Sequence, residues 1–318
     1  MADAKDHTAK RSQGQQALRF LLRHFLPYLL VVALVCVVVD WGIRKYVIYR
    51  TPMHGASKIN RAIEGVDNEI AIFGSSRALG SYIPDSLAEN AYNYGINGIS
   101  FEVIDLFLKY ETERKANTAP IIINFDFDMF RGGIGDPNNY IPHVGRPEFR
   151  QLLQDRDKWN HWYRIPGIRF FNSYDSYIKD FINAKVGLTK VVSKGASLEK
   201  NVIPEATFKK LVDERLKHPE EWGIDSLQEA KLNGYFEARP DRNFYLVVAP
   251  YHWSYYKGFK GMKQAQTWLD TMDKRPNVDV VQVNGREWPD SLFVNTTHIN
   301  LNGARKFTPL VRKAIFGE

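Results

Sequence analysis

The sequence predicts an α/β protein, a doubly wound parallel sheet with a largely helical insertion, behind an N-terminal transmembrane helix. Three observations carry this. The run "FLPYLLVVALVCVVV", Phe25–Val39, is unbroken and apolar. Short apolar runs that end in Gly, Asn or Asp alternate with helix-period segments. The strand signals then lapse between residues 131 and 240, a gap too long for a structureless loop in a compact domain.

Taken in order, residues 1–24 form a polar, basic tail, expected on the cytoplasmic side. Residues 25–46 form the transmembrane anchor: extending the apolar run to Ile43 approaches the ~20 residues a bilayer needs, with Arg19 and Arg23 before it and Trp41, Arg44, Lys45 and Tyr46 after it as interfacial flanks. No Ala-x-Ala pattern follows, so a retained signal anchor is expected. Basic residues on the two sides balance, and charge does not set the orientation. One short tail, one span and a large domain place the domain outside the cytoplasm by architecture. Asp40, at the end of the run, is expected to snorkel to the headgroups.

Residues 47–68 read as a polar linker, and residues 69–318 as the domain. "IAIFG" is a buried strand, since a continuous apolar run suits a sheet covered on both faces. "NAYNYGINGIS" runs from a strand into a Gly turn, and "SFEVIDLFLKYETERK" is a helix with Ser100 as its cap. "APIIINFDFDMF" is the third strand, with Asp126 and Asp128 at its end. "NFYLVVAPYH" and "VDVVQVN" complete the sheet around a helical "GMKQAQTWLDTMDK", before a last helix in "NLNGARKFTPLVRKAIF". The insertion holds Trp159, Trp162, Tyr163, Phe170, Phe171, Tyr174, Tyr177 and Trp222, whose helical spacing favours core packing over a sugar-stacking platform.

Composition excludes several classes. A net charge of +7 comes without clustering or a nucleic-acid motif, so no nucleic-acid partner is expected. Cys36 stands alone, which rules out an intrachain disulfide and a cysteine metal cluster. Asp126, Asp128 and His252 match no common zinc spacing, and "GGIGDP" lacks the Lys-Ser/Thr of a P-loop. No metal and no cofactor are expected.

Ligands of open parallel sheets bind beyond the carboxyl ends of the strands. The Gly-Ser-Ser turn at Ser76, the Gly95–Gly98 turn and the Asp126–Asp128 segment all fall there. A serine needs a base to become a nucleophile, and His298, just before the last helix, is the right type for that task. Tight-turn N–H groups suit a developing oxyanion.

With these residues in place, the chain resembles the SGNH/GDSL hydrolase superfamily, in particular its membrane-anchored branch related to proteins that O-acetylate or D-alanylate bacterial envelope polymers. The resemblance covers residues 69–130 and 243–316. It implies the flavodoxin-like SGNH fold, with Ser76 as nucleophile, Asn93 and Gly98 as the second block, and His298, Asn300 and Gly303 as the last. The oxyanion donors implied are the N–H groups of Ser76 and Gly98, with Asp128 standing where the family has Asn. Asn295 stands where the acid behind the histidine is usual. A displaced carboxylate, Asp126, Asp128 or Asp290, could supply the missing charge, and His252 faces the same sheet edge for substrate contact or packing.

The expected function is an O-acyltransferase or esterase acting on an extracytoplasmic envelope polysaccharide from the bacterial inner membrane, as a single-pass protein. By the resemblance, a transferase requires a multispanning acyltransferase partner besides the lipid bilayer and an acylated or polysaccharide substrate. The alternative left open is a catalytically impaired binding or assembly protein that holds glycan or that membrane partner.

Overall fold

The computed structural model describes residues 3–170, 173–186 and 190–317. Phe171 and the side chain of Tyr174, counted above among the insertion aromatics, lie outside this description. The strands are β1 (Ile70–Phe73), β2 (Ala91–Asn93), β3 (Ile121–Asn124), β4 (Lys190–Ser193), β5 (Ala196–Glu199), β6 (Glu220–Glu221), β7 (Phe244–Val248), β8 (Phe259–Lys260) and β9 (Val278–Gln282). Five of them make the central sheet in the order β2-β1-β3-β7-β9, with every pairing parallel. The five strand runs read from the sequence are these five. The order turns back on itself between β1 and β3, which opens a crevice at their carboxyl ends.

The runs of β1, β3 and β7 are continuously apolar because both faces are covered. Ala71, Phe73, Ile121, Ile123, Phe244 and Leu246 point into one core, under helices Phe101–Glu113, Ser226–Ala238 and Met262–Met272. Ile70, Ile72, Ile122, Tyr245 and Val247 point into the other, under helix Leu301–Phe316 with Phe307 and Val311. The two-residue period of a strand splits each run cleanly between the layers.

The stretch 131–240 holds helices Pro147–Asp155, Tyr174–Val186, Glu205–Lys217 and Ser226–Ala238, together with the antiparallel β4–β5 hairpin. Its last helix packs on helix Phe101–Glu113 and serves as a sheet-covering layer. β6 pairs in parallel with β8, which ties the insertion back to the segment after β7. The region read as a polar linker carries a helix, Gly55–Glu64, whose Ile59 and Ala62 are buried. Lys58 on it is fully buried, and its Nζ donates to the Gly95 carbonyl.

Among the described residues one helix, within Arg19–Ile48, is long and apolar enough to cross a membrane, with mean hydropathy 2.3 and 6% of its most apolar window buried. Asp40, at the end of this apolar run, has partners within the protein. Its carboxylate is buried, 2.9 Å from Arg44 Nε and 2.8 Å from Arg169 Nε, and accepts the Gly167 N–H. A buried carboxylate requires paired charge, and Arg169 supplies it from a segment the sequence does not connect to Asp40.

Two buried histidines make the fold acid-sensitive. His54 caps helix Gly55–Glu64 by accepting the Ala56 N–H at Nδ1, and His143 Nε2 lies 2.9 Å from the Ala56 carbonyl. Burial depresses both to about 4. Above the unfolded value near 6.5 both states are neutral. Below it the unfolded chain takes protons that the fold declines, so stability falls as pH drops from about 6.5 to about 4. Each histidine contributes a loss on the order of 3 kcal/mol by the bottom of that window. Urea titrations at pH 7 and pH 5 should give a clearly lower midpoint at pH 5; equal midpoints would contradict the assignment.

Candidate active site

Ser76 opens a helix, Ser76–Ser81, directly after β1. The turn between them is Gly74, with φ of 152°, where an added Cβ would sit 2.7 Å from Ala78 Cβ and 2.9 Å from Asn124 Cβ. Only glycine lets the chain turn that tightly between strand and helix. Ser75 caps the helix, its Oγ accepting the Arg77 N–H. Asn93, at the end of β2, accepts the Gly95 N–H and donates to the Ala78 carbonyl, which locks the second turn to this helix. As the first residue of the helix, Ser76 carries one of the N–H groups that helix geometry leaves free.

His298 arrives from the other end of the domain. Asn300 caps the last helix by accepting the N–H groups of Asn302 and Gly303 and donates to the Ser291 carbonyl. A Cβ on Gly303 would stand 2.5 Å from the Leu292 carbonyl oxygen, so the chain there closes only around glycine. Ser76 Oγ lies 2.8 Å from His298 Nε2.

The geometry assigns the tautomer. Asn295 Oδ1 accepts the backbone N–H groups of Thr297 and His298, at 2.9 Å each, which fixes its amide orientation. That oxygen lies 3.1 Å from His298 Nδ1, and Thr297 Oγ1 lies 2.8 Å from it. Nδ1 therefore carries the proton, and Nε2 is free to accept from the Ser76 hydroxyl. Burial first, then the Arg77 charge, lowers His298 to about 4, so the ring is neutral at pH 7.

A cavity of about 110 Å³ opens over this pair, lined by Ser76, Asp126, Asp128, Arg215, Tyr251 and His298 among others. Asp126 is fully engaged: it accepts from Ser75 Oγ, Arg77 Nη1 and Asn124 Nδ2. Asp128 lines the cavity and stays solvent-exposed. Its carboxyl is nevertheless pushed up to about 6, chiefly by partial desolvation and then by the charges of Asp126 and Glu220.

Arg77 is the residue sequence reasoning passed over. It is buried, and it donates to the carbonyls of Thr297, Ala249 and Pro250, pairs with Asp126, and stacks 3.4 Å over Tyr251. One side chain thus ties together the chain segments after β1, β3 and β7 and the His298 loop. A cation in the first turn of a helix opposes the helix dipole, and that mismatch at "GSSR" was the available signal. Arg215 and Glu220, ion-paired to each other, bring the insertion into the cavity wall.

Three residues singled out in the sequence lie elsewhere. Gly98 does not line this cavity; its turn packs against Gly133 and Gly135. Asp290 pairs at 3.0 Å with His252 Nε2 instead of with His298. His252 Nδ1 accepts the Ser254 N–H and lies 2.8 Å from Ser254 Oγ. Although Ser254, His252 and Asp290 are the residue types of a triad, Ser254 and His252 are fully buried and form a helix cap. No group of three or more His, Cys, Asp or Glu residues suited to a metal occurs among the described residues.

Comparison with known proteins gives no matching family model and no matching curated protein.

Proposed function

We propose that this chain is a membrane-anchored, SGNH-like acyl-ester enzyme, an O-acyltransferase or esterase whose domain faces an extracytoplasmic envelope polysaccharide. The observation that carries the reading is the 2.8 Å contact between Ser76 Oγ and a neutral His298 whose tautomer suits a general base. Ser76 Oγ attacks the acyl carbonyl while its proton passes to His298 Nε2. The Ser76 N–H meets the oxyanion. Collapse of the tetrahedral species expels the leaving alcohol, which takes the proton back from Nε2, and leaves the acyl group on Ser76. Water or a sugar hydroxyl then attacks that ester by the same steps in reverse order. The cavity of about 110 Å³ suits a short acyl group.

The two titrating groups bound the working range. His298 must be neutral, which holds above about 4. Asp128 must be protonated to spare the oxyanion its repulsion, which holds below about 6. Turnover of a small activated ester therefore peaks between these values, and Asp128→Asn flattens the alkaline limb. Ser76→Ala and His298→Ala each lower turnover by about 10²-fold. A complete triad contributes about 10⁶, and a neutral residue in place of its acid already forfeits about 10⁴. Folded variants that turn over ester like the parent would sink the proposal.

One observation favours a second reading, a binding or assembly protein that holds glycan or a membrane partner. Asn295 is neutral, so nothing beside Nδ1 stabilises an imidazolium.

A further inference from the structure

We propose that residues 162–168 form a wedge that enters the lipid bilayer beside the N-terminal helix, so that the domain is held to the membrane at two points. The inference rests on that helix being a span, and is independent of the chemistry at Ser76.

The helix sets the depth scale. Its exposed apolar side chains run without a break from Leu29 to Val35 and on through Val37 to Val39, and such a surface is stable only in hydrocarbon or against a partner. Trp41 and Tyr46, with Lys45 Nζ 4.9 Å over the Trp41 ring, mark the interfacial belt above it.

The segment after helix Pro147–Asp155 reaches down past this belt. Gly167, at φ 76°, packs backbone to backbone on Cys36, where an added Cβ would stand 3.0 Å from the Cys36 Cα. Cys36 lies within the apolar run, four residues and therefore about 6 Å along the axis below Asp40. The contact is clamped by the Gly167 N–H and Arg169, both on the Asp40 carboxylate. Phe170, next in the chain, is buried in the domain.

The turn is tight, with the N–H groups of Ile168 and Arg169 both on the Ile165 carbonyl. It turns the polar clamp and Phe170 inward and leaves Trp162 58%, Ile165 40% and Ile168 40% exposed. Ile165 and Ile168 flank the Gly167 contact with Cys36, so exposed apolar side chains sit beside the span next to a buried ion pair, which matches the pattern of an interfacial insertion. The occupant is the lipid of the same bilayer that the helix crosses.

The test uses the full chain, in a Cys36→Ala background, in nanodiscs of phosphatidylethanolamine and phosphatidylglycerol. A nitrobenzoxadiazole label is placed singly through Ile168→Cys, Leu34→Cys on the span, or Leu227→Cys on an exposed helix distant in sequence. Lipid carrying a nitroxide high on its acyl chain is then added as quencher. The proposal expects Ile168→Cys and Leu34→Cys to lose most of their emission while Leu227→Cys keeps it. Quenching at Leu34→Cys without quenching at Ile168→Cys would overturn the wedge and leave the span standing. No quenching at Leu34→Cys would overturn both.

Discussion

Asn295→Asp should raise the turnover of an activated ester by about 10² to 10⁴-fold, the inverse of the loss seen when a triad carboxylate becomes an amide. The backbone favours this substitution. Asn295 Oδ1 already accepts the N–H groups of Thr297 and His298 and stands 3.1 Å from His298 Nδ1, and a carboxylate oxygen accepts in the same place. What changes is charge. A carboxylate beside Nδ1 stabilises the imidazolium that forms when Ser76 gives up its proton, and it lifts His298 from about 4. The acid limb of the pH profile should therefore move upward in step with the gain in rate. Steady-state kinetics across pH 4 to 8 reads both effects. An unchanged rate with a shifted limb would show that the third residue is not what limits the parent.

Arg77→Met should cost on the order of 3 to 5 kcal/mol of stability, a drop in Tm of roughly 10 °C. The guanidinium is buried and makes bonds to three carbonyls besides its ion pair with Asp126. Removing it strands a buried carboxylate and frees the carbonyls of Ala249 and Thr297 from their donor. Asp126→Asn should cost a similar amount, because it strands the guanidinium instead. Combining Arg77→Met with Asp126→Asn should cost less than the two single losses added together, since no unpaired charge then remains buried. A double-mutant cycle by thermal melting checks this. Strict additivity would mean that the pair is not the unit holding these segments together.

How much was legible in the sequence differs by element. The inner strands β1, β3 and β7 were readable because a strand buried on both faces leaves an apolar run, as in Ile70–Phe73 and Phe244–Val248. Ser76 was readable because Gly-Ser-Ser punctuates a junction of strand and helix, and His298 because Asn-x-x-Gly follows it at the start of the last helix.

Helix Gly55–Glu64 was hidden because its polar composition reflects Lys58 and His54, which are satisfied internally by the Gly95 carbonyl and the Ala56 N–H. The Arg77 hub was hidden because its acceptors are backbone carbonyls, which no residue type advertises. The resemblance implied Gly98 as an oxyanion donor, and the covering segment around Gly133–Gly135 gives that turn a packing partner instead. Asp290, read as a carboxylate that could replace the missing acid, pairs with His252 instead.

The central claim is that Ser76 is a nucleophile activated by a neutral His298, and covalent capture tests it most directly. The full chain is treated with a small serine-directed phosphonate and the modified peptide is mapped by mass spectrometry. The account predicts one adduct, on Ser76, that is absent in Ser76→Ala and strongly slowed in His298→Ala, with a labelling rate that falls as pH drops toward about 4 and again as it rises past about 6. A folded protein that takes no adduct, or takes it equally with and without His298, would contradict it.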